Sequence, residues 1–161
     1  MELRVGTGYD SHRFDADREL ILGGVLIPDH AGLLGHSDGD AVAHAVIDAI
    51  LGAAAAGDVG SHFPPTDATW KDADSIGLLK AAAGVLRERG YEVVNVDVTV
   101  VCETPKIRPH AVAMSHRLAE AMAISADRVS IKGKTNEGLG WIGAGEGLAV
   151  HAVALIGKAD R

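Results

Sequence analysis

Apolar residues recur along this chain at two spacings, every second residue and every third or fourth. A period of two lines one face of a strand, and a period near 3.6 lines one face of a helix. Residues 3–7 read as a short first strand, and 20–22 with 25–27 read as a hairpin turned by Gly23 and Gly24. From 38 to 56 the pattern is helical: Val42, Val46, Ala49, Ile50 and Ala53 share a face, and Gly57 supplies the stop. Residues 58–74 are polar, include Pro64 and Pro65, and read as a loop. Ser75 is placed to cap a second helix, whose Ile76, Leu79, Ala83 and Leu86 form a stripe ending at Gly90. Val94, Val96, Val98 and Val100 alternate strictly and give the clearest strand. A third helix is expected from about Pro109 to Ala123, with proline in its first turn. Residues 129–132 and 148–156 read as the last two strands, separated by a glycine-rich loop over 135–147. This order predicts an α+β fold, a mixed sheet with helices packed on one face.

The length, 161 residues, suits one domain, and 1–161 is read as a single unit. With 47% apolar and 23% charged residues, the chain is neither disordered nor membrane-embedded. Its net charge of -7 argues against nucleic acid or an anionic membrane as a partner. An anionic substrate therefore needs a local cluster of cations. The single cysteine, Cys102, excludes an intrachain disulfide and a thiolate-rich zinc site; it follows a strand-like run and reads as a small core residue. Residues 1–6 enter a strand without a charged leader, and no apolar run approaches the ~20 residues of a membrane span. Cytoplasm is the expected location.

Four clusters carry candidate chemistry. In Gly8-Tyr9-Asp10-Ser11-His12, residues two apart in extended chain point to one side, so Asp10 and His12 can converge on an ion. The stretch from His36 to His44 feeds the first helix, where Asp40, His44 and Asp48 fall at i, i+4 and i+8 on the side expected to be polar. One Asp and two His leave a fourth coordination position open, as catalytic zinc sites do. Each histidine singly is more often a cap, a surface residue or a satisfied core group; the joint pattern of two His/Asp clusters favours the metal. Asp38-Gly39-Asp40 lacks the glutamate of a calcium loop, and Gly6-Thr7-Gly8 lacks the helical continuation of a dinucleotide fingerprint. The third cluster, Glu103 to His110, sets Lys106 and Arg108 before a helix, which suits an anion or a solvated basic loop. The fourth, Lys132 to Trp141, joins cations, a hydroxyl and a carboxylate among glycines that admit close phosphate approach. The residues alone reach metal plus phosphate chemistry.

Several stretches extend these clusters: Gly6 to His12, Gly35 to Asp40 with His44, Leu51 to Ala54, Gly57 to Gly60, and Phe63 to Asp67. They continue through Asn95 to Thr99, Pro105-Lys106, Lys134 to Glu137 with Leu139-Gly140, and Gly145 to Gly147. In this order, over nearly the whole chain, they resemble the 2-C-methyl-D-erythritol 2,4-cyclodiphosphate synthase family of the non-mevalonate isoprenoid pathway. The resemblance implies a homotrimer with active sites at subunit boundaries, its sheet forming a ferredoxin-like layer. It implies a lyase whose substrate, 4-diphosphocytidyl-2-C-methyl-D-erythritol 2-phosphate, cyclises with loss of CMP. Carried over by position, Asp10, His12 and His44 hold zinc or another transition metal. Glu137 ligates magnesium or manganese between the phosphates, and His36 and Thr135 flank the transition state. Ser37, Asp58, Gly60, Phe63, Thr66 and Asp67 would bind the erythritol side together with Asp10, His12 and His36. Cys102, Pro105, Lys106 and Arg108 would form the cytidine pocket, and Lys134, Thr135, Glu137 and Trp141 complete the substrate set.

Two positions depart from the family pattern. Pro65 stands where the family has Asp, and Ala144 where it often has Arg, which bears on anion binding near a trimer axis. Two other readings compete with cyclisation. A zinc hydrolase would place isotopically labelled water oxygen in its product, and a non-catalytic binding module would bind without turnover.

Overall fold

The first strand, β1, runs over Leu3–Leu22 in a computed structural model that describes residues 2–159. β2 (Val25–Leu33) turns back on it through Gly23 and Gly24, whose φ values of 57° and 72° are those a two-residue hairpin requires. The early part of β1 pairs antiparallel with β5 (Gly147–Lys158), from Leu3 opposite Gly157 to Arg13 opposite Gly147. From Phe14 onward it pairs with β2 instead. The 8–12 cluster therefore lies within the strand, not after it. Its pattern was disguised because the inward positions are Gly6 and Gly8 rather than large apolar residues, while Thr7, Tyr9 and Ser11 face outward.

Those glycines set the position of α1 (Ala41–Ala53). A Cβ on Gly8 would stand 1.8 Å from the carbonyl oxygen of Ala45, and one on Gly6 2.1 Å from that of Ala49. Helix backbone thus rests on strand backbone. Ten of the thirteen residues of α1 are buried, so it is a central helix rather than one with a single apolar face. It begins at Ala41 because Asp40 caps it, accepting from Ala43 N at 3.0 Å, and it ends three residues short of the expected Ala56. The predicted 58–74 loop contains α2 (Val59–His62) and a 3-10 turn at Ala68–Trp70. Next comes α3 (Ser75–Glu88), capped by Asp74 rather than by Ser75, and stopped by Gly90 at φ 79°. Ile76 of its expected stripe is only half-buried; Leu78 and Ala82 complete the buried face.

β3 (Tyr91–Val101) buries Val96, Val98 and Val100 as expected, but not Val94. A register shift between Val93 and Asn95 turns Val93 inward in its place. A 3-10 turn holding Pro109 leads into α4 (Ala111–Met122), which ends at Ala123 in the left-handed region. β4 (Val129–Lys134) follows, and α5 (Gly140–Gly143) lies within the glycine-rich loop before β5.

The sheet order is β2-β1-β5-β3-β4. β5 lies antiparallel to β1 and β3, whereas β3 and β4 run parallel because α4 returns the chain between them. The α+β expectation, a mixed sheet with helices on one face, holds. The ferredoxin-like expectation does not: that motif alternates β-α-β-β-α-β, whereas here the chain opens with two strands, three helices (α1, α2 and α3) precede β3, and only α4 separates β3 from β4. The helices α1, α3 and α4 pack on one side over a core that includes Leu20, Ile47, Leu79, Met114 and Leu148. The other face carries exposed Leu3, Val5, Tyr9 and Val153. Among the described residues, no helix is long and apolar enough to cross a membrane.

Candidate active site

Asp10 and His12 share the inward parity of Gly6 and Gly8, so their side chains leave β1 on the helical side. The close seat of α1 then brings His44, one residue before Ala45, above Asp10. Asp10 Oδ2 lies 2.8 Å from His12 Nε2 and 3.2 Å from His44 Nδ1. One ligand atom from each of the three falls within 4.8 Å of the others, so the trio can hold a metal ion. Both rings are braced from behind: His12 Nδ1 donates to the Leu34 carbonyl at 2.6 Å, and His44 Nε2 lies 2.9 Å from Ser75 Oγ and 3.1 Å from Ser37 Oγ. Burial favours the neutral form of Asp10, yet hydrogen bonds from His12 and His44 hold its pKa below the usual carboxylate value. Burial likewise opposes charge on His12, and its hydrogen bond to Asp10 overcomes that and raises its pKa.

Of the i, i+4, i+8 set on α1, only His44 joins this group. Asp40 is fully buried and bonds Gly23 N at 2.8 Å and Gly24 N at 2.7 Å, fastening the start of α1 to the hairpin. Burial, reinforced by Asp38, pushes its pKa up to about 6 against the pull of its backbone donors. Asp48 accepts from Val59 N at 2.7 Å, and burial raises its pKa.

A second feature lies at the same end of the sheet. Cys102, Pro105, Lys106, Arg108, Lys134 and Thr135, all expected in the substrate site, line one cleft of about 420 Å³ together with Lys132. Glu103 ties its two walls, its Oε1 accepting from Asn136 N at 2.9 Å and Gly138 N at 3.3 Å. Cys102 is buried at the floor, and that burial, with Glu103 beside it, pushes the thiol pKa up to about 11. Glu137, exposed and at φ 53°, lies between the two residues that Glu103 holds.

The two features are separate within this chain. Ser11 is opposite Ala149, Ala149 opposite Val101, and Val101 opposite Lys134. Three strand spacings, roughly 14 Å, therefore divide the trio's strand from the cleft's. Ser37 joins the trio through His44, and exposed His36 gives its carbonyl to Asp72 N at 3.0 Å. Asp58 caps α2, which contains Gly60; Phe63 meets Trp70 edge-on at 5.1 Å, and Thr66 is exposed beside them. Asp67 accepts from Thr69 N, a bond that lowers its pKa. Trp141 lines a depression of about 190 Å³ with Ser11, His12, Arg13 and Glu146. Sequence reasoning missed Ser75, Asp38, the Leu34 carbonyl and the tie through Glu103. Ser75 and Asp38 carried a signal, being hydroxyl and carboxylate at helix starts, but that signal also fits ordinary caps.

Comparison with known proteins identifies the family. The model of the YgbB family matches residues 3–157. The 2-C-methyl-D-erythritol 2,4-cyclodiphosphate synthase of Xanthomonas axonopodis pv. citri is 54% identical, over 96% of this chain and 93% of that protein. The chain belongs to the YgbB family of 2-C-methyl-D-erythritol 2,4-cyclodiphosphate synthases. The fold is shared as well. The bifunctional IspDF of Campylobacter jejuni superposes with a TM-score of 0.95 at 42% identity, covering 99% of this chain and 43% of that longer one. The Plasmodium falciparum IspF in complex with CDP superposes with a TM-score of 0.85 at 33% identity, covering 98% and 97% of the two chains.

Proposed function

We propose that this chain, acting over 1–161 as one catalytic domain, converts 4-diphosphocytidyl-2-C-methyl-D-erythritol 2-phosphate into the 2,4-cyclodiphosphate, releasing CMP. It is then a phosphorus–oxygen lyase of non-mevalonate isoprenoid biosynthesis, working in the cytoplasm without nucleic acid or membrane partners. The observation that carries this reading is the convergence of Asp10, His12 and His44 in a chain of that family. The donor set fits a zinc-type ion, being one carboxylate and two imidazoles with outer hydrogen-bond partners on both rings. The exposed carboxylate of Glu137 suits magnesium or manganese, which takes few protein ligands alongside substrate phosphates. When bound, these two cations neutralise phosphate charge and withdraw electrons from the reacting phosphorus.

The remaining work belongs to the chain's own residues. Lys106, Arg108 and Lys134 offset the diphosphate charge within an acidic protein, while Lys132 beside them is paired with Asp97 at 2.6 Å. Cys102 and Pro105 shape the cytidine pocket. His36, Ser37, Asp58, Gly60, Phe63, Thr66, Asp67 and Trp141 position the erythritol phosphate, and His36 and Thr135 flank the reacting centre. An oxygen of the 2-phosphate attacks the β-phosphorus, the bond from that phosphorus to the bridging oxygen breaks, and CMP leaves with that oxygen. Both groups belong to one molecule, so correct folding of the substrate contributes up to ~7–11 kcal/mol of proximity advantage. No protein nucleophile is needed.

The proposed assembly is a homotrimer in which the trio of one subunit faces the cleft of the next. Support comes from the separation of trio and cleft within the chain, and from the exposed apolar side chains on the open sheet face. Ala144 leaves the trimer axis without the arginine often found there. The CDP complex of the Plasmodium falciparum relative supports a cytidine ligand. Phosphorus NMR of the cytidyl substrate with protein, zinc and magnesium tests the reading. A cyclic diphosphate and CMP in equal amounts are expected; in isotopically labelled water, a linear phosphate product that carries the label would replace cyclisation with hydrolysis.

A further inference from the structure

The outer partners of His44 form a chain that leads away from Asp10 toward the start of α3. Ser75 is fully buried, at the first turn of α3. Its Oγ lies 2.9 Å from His44 Nε2 and 2.5 Å from Asp38 Oδ1, and its N–H donates to Asp38 Oδ2 at 3.0 Å. Asp38 Oδ1 also accepts from Asp40 N at 3.0 Å, and Asp38 N donates to the Ala73 carbonyl at 3.2 Å. The loop before α1 and the start of α3 are thus stitched together through this one carboxylate.

Counting hydrogens assigns the roles. Both oxygens of Asp38 already accept from backbone N–H groups, Oδ1 from Asp40 and Oδ2 from Ser75, so the single hydroxyl hydrogen of Ser75 goes to Asp38. The Ser75 oxygen is left facing His44 Nε2 as an acceptor, and Nε2 must carry a proton to fill it. Ser37 Oγ lies 3.1 Å from the same nitrogen and 3.5 Å from Ser75 Oγ, so it can share the Nε2 N–H while turning its own hydrogen to the Ser75 oxygen. His44 Nδ1, facing Asp10, is then the nitrogen left for an ion. We propose that Ser75, held by Asp38, is a positioning residue for the metal centre, fixing the ring of His44 so that it ligates through Nδ1. His12 obtains the same service from a backbone carbonyl at the opposite nitrogen, and so ligates through Nε2. One ring is braced by main chain, and the other by a hydroxyl–carboxylate pair from a distant helix.

The inference rests on the metal reading of Asp10, His12 and His44, and two measurements separate the failures. The first is nitrogen NMR of the unaltered, zinc-loaded protein with labelled histidine. The metal is expected on Nδ1 of His44, with a slowly exchanging proton on Nε2; ligation through Nε2 overturns the proposal whether or not any variant folds. The second is zinc affinity, read by competition with a chromophoric chelator, for Ser75→Ala and Asp38→Asn. Loss of an outer partner is expected to weaken zinc binding ~10–100-fold, while circular dichroism of the zinc-free variants stays that of the parent. Folded variants that bind zinc within twofold of the parent overturn the proposal and leave the metal site standing. A parent protein that binds no zinc overturns both.

Discussion

The trio and the cleft sit at the same end of one sheet yet are built on opposite plans. Asp10, His12 and His44 project from the middle of a strand and the first turn of a helix, partly buried, each ring braced at its outer nitrogen. The cleft is made of strand ends and loops, where Lys106, Arg108 and Lys134 are exposed. Rigid elements suit a centre whose donors must meet within a few tenths of an ångström. Exposed lysines and arginines suit a diphosphate that supplies the missing negative charge only on binding. In the proposed function, holding and fixing fall to the first region, and capture and release to the second.

The largest effect expected on this division is that of His44→Ala. It removes a donor and leaves the core, so folded protein should lose its metal and on the order of 10³-fold in cyclisation rate, as when a main charge-stabilising group is deleted. Elemental analysis of the folded variant checks this; full zinc occupancy would break the assignment. Next comes Gly8→Ala, whose Cβ would stand 1.8 Å from the Ala45 carbonyl oxygen. Forcing α1 off β1 should cost about 3 kcal/mol or more in urea denaturation. It should also weaken zinc binding, because His44 rides on the displaced helix; unchanged zinc affinity would uncouple the site from the glycine seat.

Cys102 tests whether the cleft has a closed floor. Its pKa, raised to about 11, keeps the thiol protonated at pH 8. Relative to the unfolded chain, alkylation there should be about 100-fold slower and should rise with pH to near 11. A rate matching the unfolded chain would mean an open floor. Lys106→Ala should act on one region only, raising the KM for the cytidyl substrate about 10-fold as a charge-assisted bond is lost. Zinc content should stay unchanged; a fall in zinc content alongside the rise in KM would merge the two regions into one structural unit.

The sequence made some of this legible and hid the rest for definite reasons. Val96, Val98 and Val100 announced β3 by alternation, and Gly23-Gly24 announced the hairpin by turn chemistry. Most of β1 was hidden because its inward positions after residue 7 are Gly8, Asp10 and His12, where an apolar pattern would otherwise show. The burial of α1 on nearly all sides was hidden for the matching reason, since strand, neighbouring helix and hairpin all close around it. Asp10, His12 and His44 were visible as residue types, and their convergence needs only the i, i+2 rule and one helix placement. Ser75 and Asp38 were not visible as a brace, because a serine at a helix start looks the same whether or not a histidine 31 positions earlier leans on it. The parallel pairing of β3 with β4 depends on the path of α4, which local periodicity does not encode.

The claim that the braced trio and the open cleft are two halves of one active site is tested most directly by crystals grown with zinc, magnesium and CDP, measured by anomalous diffraction at the zinc edge. The account predicts one strong peak per chain between Asp10, His12 and His44. It predicts CDP seated in the Lys106 cleft of a neighbouring copy, with its diphosphate extending toward that metal. Zinc elsewhere, or CDP bound with its phosphates turned away from the trio, would contradict it.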